Sequence, residues 1–502
     1  MTCKKNNKYL YMKITNEQKE AIRENFQKME TKDDFLNLLN QANTYLFPKK
    51  PIIFNVAQLN AYIIKERASV ETPFGKTTDY SIVAYHTFQI KKKSGGVRTL
   101  HAPVAALKEL QAALNLILQA VYEPHQAATG FVVGKSIVDN AKVHVNQNYV
   151  YNLDLKDFFP SVDQARVWGR VKAAPFHLGT TEGRKKIANM IAALSCTKME
   201  VERLEDGQWK KVQKRVLPQG APTSPILTNA ICERLDICLS GVAKRFGLNY
   251  SRYADDITFS SQHNVYELKK GISERIYEAN SSFDLEVRRI ITEQNFHIKE
   301  SKVRLQKQGF RQEVTGIVVN EKPNVNKRYV KQLRQWLFNW ETYGYEKAYT
   351  KFLNVYAKDR GNVKNAKPNM IMVLAGKLLY LKMVKGELDS TYVKLKVRFD
   401  QLNPKSIFID KVLDIWEKEG IDKAMDFYYG RQKSNQWKVT PDHVVVEILT
   451  AAGLLNKGNT ILKKEKPSLE TSIPDFDDLD TVVFDQKLID WINEHAPDND
   501  YD

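Results

Sequence analysis

Two adjacent carboxylates set between short β-prone runs constrain this chain more than any other feature. They are Asp255 and Asp256, in the stretch Ser251-Arg252-Tyr253-Ala254-Asp255-Asp256-Ile257-Thr258-Phe259-Ser260. Tyr250 and Tyr253 precede the acids; Ile257, Thr258 and Phe259 follow them. Aromatic and β-branched residues on both sides of a small polar kink predict strand, turn, strand. A tight turn brings neighbouring acids toward one point, where they repel unless a cation lies between them. Mg²⁺, small and hard, suits such oxygen donors together with substrate phosphates. A lone Asp-Asp pair is more often a solvated turn, so the metal reading requires a third carboxylate upstream.

Tyr149-Val150-Tyr151-Asn152-Leu153-Asp154-Leu155-Lys156-Asp157-Phe158-Phe159-Pro160 supplies it. An alternating apolar strand ends in Asp154, and the bulky Phe159 follows five residues later. A carboxylate at that strand end is expected to face Asp255 across a sheet, with Phe159 near bound substrate. Asp157 is the competing acid, expected to face away and help the following turn. Between these acids lies Leu217-Pro218-Gln219-Gly220-Ala221-Pro222-Thr223-Ser224-Pro225, a rigid loop leading into a helix predicted from about Ile226 to Arg245. Pro225 suits a first helical turn. Gly220 permits close backbone approach, and Gln219 can both donate and accept hydrogen bonds.

Upstream, Tyr85 to Ile90 alternates like a strand and runs into Lys91-Lys92-Lys93-Ser94-Gly95-Gly96-Val97-Arg98. Ser-Gly-Gly is a turn signal, so a β-hairpin with basic arms is predicted, able to set lysine and arginine on a triphosphate. A soluble surface hairpin is the plainer alternative. Pro103 to Tyr122 carries Leu107, Leu110, Leu114, Ile117, Leu118 and Val121 on one helical face. Gly130-Phe131-Val132-Val133-Gly134-Lys135-Ser136 lacks the Gly-x4-Gly-Lys-Ser/Thr spacing, which excludes a P-loop. Residues 1 to about 80 read as mainly helical, a packing or RNA-contacting cap.

At 502 residues the chain is too long for one core, and two to four packed units are expected. A net charge of +17 calls for a polyanionic partner, nucleic acid or membrane. No stretch approaches the roughly 18 apolar residues needed to span a bilayer, and the N-terminus has no apolar signal core. Nucleic acid is therefore the expected partner and the cytoplasm the expected location. Cys3, Cys196, Cys232 and Cys238 form no Cys-x-x-Cys pair and no zinc array. Charge is uneven: Ser468 to Asp502 holds eleven acids and one lysine, a net of −10, so the first 467 residues carry +27.

Taken in order, three pieces resemble the motifs of a reverse transcriptase: Asp154 with Phe159, Gln219-Gly220 within Leu-Pro-Gln-Gly, and Tyr253-Ala254-Asp255-Asp256. The hairpin at 91–98 resembles the fingers element ahead of them. Phe296-His297-Ile298-Lys299-Glu300-Ser301-Lys302-Val303 resembles the strand carrying the family's lysine. The resemblance covers about 85 to 330. Asn140-Ala141-Lys142-Val143-His144 and Val314-Thr315-Gly316 resemble two markers of bacterial retron reverse transcriptases, whose layout defence-associated relatives share. The region beyond about 400 departs from the usual retron length. No pattern resembles the zinc nuclease of group II intron enzymes or the acidic set of a ribonuclease H domain.

The resemblance implies an α+β right-hand polymerase of fingers, palm and thumb with helical extensions. Its expected parts are an N-terminal extension at 1–80, fingers and palm at 81–322 and a thumb at 323–400, then a helical extension at 401–467 and an acidic tail at 468–502. Asp154 and Asp255 would hold two Mg²⁺ ions, with Asp256 assisting and the Leu155 carbonyl as a further ligand. Lys93 and Arg98 would clamp the phosphates of a deoxynucleoside triphosphate; Gln219 and Gly220 would touch its sugar and base. Lys302 would lie near the pyrophosphate as a proton donor, with Lys299 its rival. Phe159 would exclude a ribose 2′-hydroxyl, which disfavours an RNA-making polymerase. The implied partners are a non-coding RNA as template, and as primer in some priming modes, and the DNA product; a homo-oligomer is compatible with the sequence. Basic residues from Lys331 to Lys364, interleaved with Trp336, Trp340, Tyr343, Tyr345 and Tyr349, suit RNA where the rings are exposed; the plainer alternative is aromatics in the core and lysines that only solvate the surface. The implied role is reverse transcription of a partner RNA in antiphage defence. Its rivals are an inactive RNA-binding scaffold, disfavoured by the intact Asp154, Asp255 and Asp256, and a general-purpose reverse transcriptase of a mobile element.

Overall fold

The computed structural model describes residues 14–48, 51–64, 68–71, 77–80, 84–91, 96–269, 271–356 and 368–403, with positions 415, 418, 419 and 423. Lys93, all but those four positions of the helices expected beyond 403, and the acidic tail lie outside the described residues. The chain divides into two compact units, Lys13–Pro323 and a second that begins at Asn324.

In the first unit, helices Asn16–Lys28 and Lys32–Leu46 each open on a capping box, Thr15 with Gln18 and Thr31 with Asp34. They bury Ile22, Phe26, Phe35 and Leu39 beside the helix Ala105–Val121, whose Leu110, Leu114 and Ile117 are fully enclosed. The expected basic hairpin is present, Tyr85–Lys91 pairing antiparallel with Val97–Pro103. The N-terminal segment is not helical throughout: Ala68–Glu71 pairs with Thr77–Tyr80. The single helix expected from about Ile226 to Arg245 is two, Ser224–Ile231 and Glu233–Phe246. At their junction the Tyr122 hydroxyl donates to the Asn229 carbonyl at 3.2 Å and Arg170 Nε to the Ala230 carbonyl at 2.6 Å. Those outside donors draw on carbonyls that a continuous helix would keep for itself.

The centre is a four-stranded antiparallel sheet in the order Arg304–Lys307, Tyr149–Asp154, Asp256–Ser261, Asn249–Tyr253. Side chains alternate between faces of a sheet, and here the alternation sorts by chemistry. Tyr151 and Leu153 stand opposite Phe259 and Ile257 on the buried face. Helices Ser224–Ile231, Glu233–Phe246 and Ser282–Glu293 supply the rest of that core. The other face is polar: Asn152 stands opposite Thr258, with a 3.1 Å hydrogen bond, and Asp154 opposite Asp256.

The second unit contains helices Lys327–Tyr356, Met370–Lys385 and Ser390–Leu402, the first broken at Gly344 where φ is 75°. Leu333, Leu337, Leu374, Leu378, Leu395 and Phe399 form its core. Trp340 belongs to that core, 7% exposed and edge-on to Phe399, and is therefore not a stacking surface for RNA. Its place on the turn after Leu333 and Leu337 aims it inward. Among the described residues of this unit, Phe338 and Tyr343 are the exposed rings. Among the described residues no helix is long and apolar enough to cross a membrane.

Candidate active site

The expected strand-turn-strand is a two-residue hairpin. Tyr253 pairs with Asp256, and Ala254 and Asp255 form the turn, with Ala254 at φ 55°. A left-handed alanine is unfavourable, and the structure shows what holds it. Arg252 Nη1 donates to the Ala254 carbonyl at 3.0 Å. The same guanidinium grips Asp236 through two bonds of 2.8 and 2.7 Å, and Nη2 reaches Asn229 Oδ1 at 3.2 Å. Arg252 and Asp236 are both completely buried.

The sheet register sets Asp154 directly opposite Asp256, not Asp255. Asp255 meets the Asp154 strand through its backbone, its carbonyl accepting from the Leu155 N–H at 3.0 Å. Burial, then the charge of Asp154, pushes the Asp255 carboxyl up to about 6. Burial, then Asp255 and Asp154, holds Asp256 well above the ordinary range. Lys302 Nζ lies 2.8 Å from Asp154 Oδ2. Burial alone would lower its ammonium, but the bond to Asp154 and the three aspartate charges outweigh that, and its pKa is raised. Lys299 meets Asp154 through its backbone N–H, at 2.8 Å from the Asp154 carbonyl. Asp157 is exposed at φ 46°, its carbonyl accepting from the N–H and hydroxyl of Ser161, both at 2.8 Å.

Arg98, on the basic hairpin, is near enough for its charge to act on Asp255. The hairpin also touches the Gln219-Gly220 loop: the His101 N–H donates to the Gln219 carbonyl at 3.1 Å. Gly220 has φ 120°, and a Cβ there would stand 3.0 Å from the His101 carbonyl oxygen, so glycine is required twice over. Phe159 is half-buried, its ring 5.9 Å from Phe131, which is itself 6.5 Å from Tyr253.

A buried polar network braces the same polar face farther along the sheet from the acids. Asn140 Oδ1 accepts from the Thr129 hydroxyl at 2.8 Å and the Ser251 hydroxyl at 2.7 Å. His144 bridges Ser251 and Ser260, each at 2.7 Å, and burial lowers its pKa to about 3, leaving it neutral. Thr315 joins through Asn140 Nδ2 at 3.5 Å. The two stretches that sequence reading set apart, Asn140 to His144 and Val314 to Gly316, thus meet.

Sequence reading assigned no role to Arg252, Asp236, Gly130 or Phe131. The signal for the first pair was present: Asp236 falls on the buried stripe Leu235, Leu239, Val242, Phe246, where a charge demands a partner.

Three carboxylates at one end of an antiparallel sheet, countered by a half-buried lysine, define a polar site on a mixed α/β core whose donors suit phosphate chemistry. The chain thus contains a region, residues 90–313, that matches the reverse transcriptase (RNA-dependent DNA polymerase) family. The retron Mx65 reverse transcriptase of Myxococcus xanthus is 39% identical over 254 residues, 50% of this chain and 55% of that protein. The retron Mx162 reverse transcriptase of the same organism is 38% identical, covering 51% of this chain and 52% of its own length. The retron Ec86 reverse transcriptase of Escherichia coli is 29% identical, covering 60% of this chain and 81% of its own. The chain spans about half the length of the two Myxococcus relatives it matches.

Proposed function

We propose that this chain is a retron-type RNA-directed DNA polymerase that copies a partner non-coding RNA into DNA. The observation that carries the reading is the opposition of Asp154 and Asp256 on the polar face, with Asp255 in the turn and Lys302 against Asp154.

The residues fit Mg²⁺ by the chemistry of their donors. All three are hard oxygen ligands, and the carboxyls of Asp255 and Asp256 are raised by burial first and by their neighbours' charge second, both of which a bound cation would offset. Among the described residues no three acidic, histidine or cysteine side chains are already gathered as a metal cluster. Asp154, Asp255 and Asp256, with the Leu155 carbonyl, are the residues that would hold two ions. A metal ion held there would supply the lowering of the pKa of a primer 3′-hydroxyl and charge neutralisation of the triphosphate.

The chain's own groups do the rest. Arg98 offers a planar fork to phosphates, and Lys93 is the second cation assigned to them. Gln219 and Gly220 present a backbone edge and a donor-acceptor side chain to the sugar and base. Lys302, kept protonated by the three aspartates, holds a proton for the departing pyrophosphate. Phe159 fills the space where a 2′-hydroxyl would stand. In this reading the palm is the four-stranded sheet, the fingers include the basic hairpin, and the thumb is the helical unit after Asn324. A role in antiphage defence is the finer proposal, supported by the retron likeness.

The test is incorporation of deoxynucleotides on primed RNA with Mg²⁺ by the parent and by the Asp255→Ala/Asp256→Ala variant. Synthesis by the parent alone, with equal RNA binding, is expected. Synthesis by the double variant sinks the assignment, and none by the parent under any priming condition favours the scaffold. Sequencing the RNA and DNA that co-purify with the chain identifies template and product.

A further inference from the structure

The loop Ala127–Phe131 is tied to the catalytic turn at every step. The Arg252 N–H donates to the Ala127 carbonyl at 2.8 Å, and the Thr129 N–H to the Arg252 carbonyl at 2.8 Å. Asn229 Nδ2 donates to the Gly130 carbonyl at 2.9 Å. Gly130 packs so closely that a Cβ would stand 2.5 Å from the Ala254 backbone nitrogen. No side chain other than hydrogen fits there.

The loop ends in Phe131, at φ 60°. A bulky aromatic in the left-handed region is a costly outlier, kept only where surrounding structure over-determines it. The ring is not spent on the core: it remains 38% exposed. It lies 5.9 Å from Phe159 and 6.5 Å from Tyr253, both tilted contacts within the range of attractive aromatic pairs. Phe158 flanks Phe159 on another side, 5.4 Å between centroids. Phe159 is therefore held between a buried ring and a half-exposed one, and only Phe131 is free of a core-filling duty.

We propose that Phe131 is a positioning residue for sugar selection: its ring fixes the Phe159 ring against the bound nucleotide, and the strained loop exists to present it. This rests on the polymerase reading above. Without Phe131 the Phe159 ring gains rotational room toward solvent, and a ribonucleotide is excluded less well.

The experiment measures single-nucleotide incorporation on a primed RNA template by the purified full chain, as the ratio of kcat/KM for ribo- to deoxynucleotide. The variants are Phe131→Gly, Phe131→Asn, Phe159→Ala and Phe131→Gly/Phe159→Ala. Glycine and asparagine tolerate the left-handed backbone, so melting temperatures at or above the parent's are expected for both, which separates the effect from misfolding. Both should raise the ratio by about tenfold, the low end of the scale on which a pocket that loses apolar volume loses discrimination. The double variant should match Phe159→Ala alone, because Phe131 acts through that ring. A ratio unchanged in both Phe131 variants while Phe159→Ala raises it overturns the proposal and leaves the polymerase reading standing. So does a double variant whose effect is the product of the two. No incorporation by the parent overturns the polymerase reading itself, and an unchanged ratio in Phe159→Ala removes the gate on which the proposal depends.

Discussion

Replacing Asp255 by asparagine is expected to stabilise the protein at neutral pH in metal-free buffer. Burial, and after it the charge of Asp154, moves this carboxyl from 3.8 to about 6 in the fold. The folded state thus binds the proton more tightly than the unfolded one. Ionised Asp255 begins to cost stability as pH climbs past about 4, and the full cost is reached above about 6. A displacement of that size corresponds to about 3 kcal/mol, shared with Asp154 and Asp256 because the three charges act on one another. Asparagine keeps the shape, and the backbone bond from Leu155 to residue 255 is untouched. At roughly 2 °C per kcal/mol for a unit of this size, Asp255→Asn should melt about 5 °C above the parent at about pH 7.5 in chelator. The gain should vanish near pH 4, where the parent carboxyl is protonated. Saturating Mg²⁺ should raise the parent more than the variant, which keeps only the repulsion between Asp154 and Asp256. Thermal melts across pH, with chelator and with Mg²⁺, decide the matter. A variant that melts at or below the parent at neutral pH, or gains equally at both pH values, refutes the argument that crowded charge destabilises this turn.

Reversing Lys331 and Arg334, both exposed, to glutamate should weaken RNA binding and flatten its salt dependence, read by titration at several ionic strengths. Removing the exposed Tyr343 ring should narrow the gap between a co-purified RNA and random RNA in competition, whereas Trp340→Ala should lower the melting temperature instead. Arg252→Gln leaves the Asp236 carboxylate buried without its partner and should cost about 3–5 kcal/mol in denaturant melts. His144 is held neutral with a pKa near 3, below its unfolded value of 6.5, so its contribution is complete above 6.5 and lost as pH falls from there toward 3. His144→Gln should reduce the slope of stability against pH across that window.

Much of the fold that positions the site was legible because short-range chemistry dictates it. Alternation named the strand at Tyr149–Asp154, aromatic and β-branched residues around a polar kink named the strands either side of Asp255, Ser-Gly-Gly named the hairpin, and an apolar stripe named the helix Ala105–Val121. Three sites escaped for one physical reason: each depends on what crosses from another element. The helix break at Cys232 sits where Tyr122 and Arg170 claim carbonyls from more than fifty residues away. Trp340 looked like a nucleic-acid surface because basic and aromatic residues interleave there, but interleaving does not say which face of a helix is covered. Register is the third: the turn could have opposed Asp154 to either acid, and only the pairing of Tyr253 with Asp256 selects Asp256.

The parity of the sheet also explains why an arginine lies at its heart. Asp256 must point to the polar face to stand beside Asp154, so Tyr253, its partner, shares that face and Arg252 must point the other way. The other way is the apolar face, among Ile257, Tyr250 and Phe158. A charge there is tolerable only with a buried counter-charge and its donors filled. Asp236 supplies the first, and Asn229 and the Ala254 carbonyl complete the second. Tyr250 donates its hydroxyl to Asp236 at 2.7 Å, so the carboxylate is satisfied as well. An apolar residue at 252 would pack on this face at lower desolvation cost, but it could not reach the carbonyl of a left-handed alanine. Holding that carbonyl is what fixes the turn, and the turn is what carries Asp255; the expensive interior charge is thus tied to the geometry of the carboxylates on the opposite face.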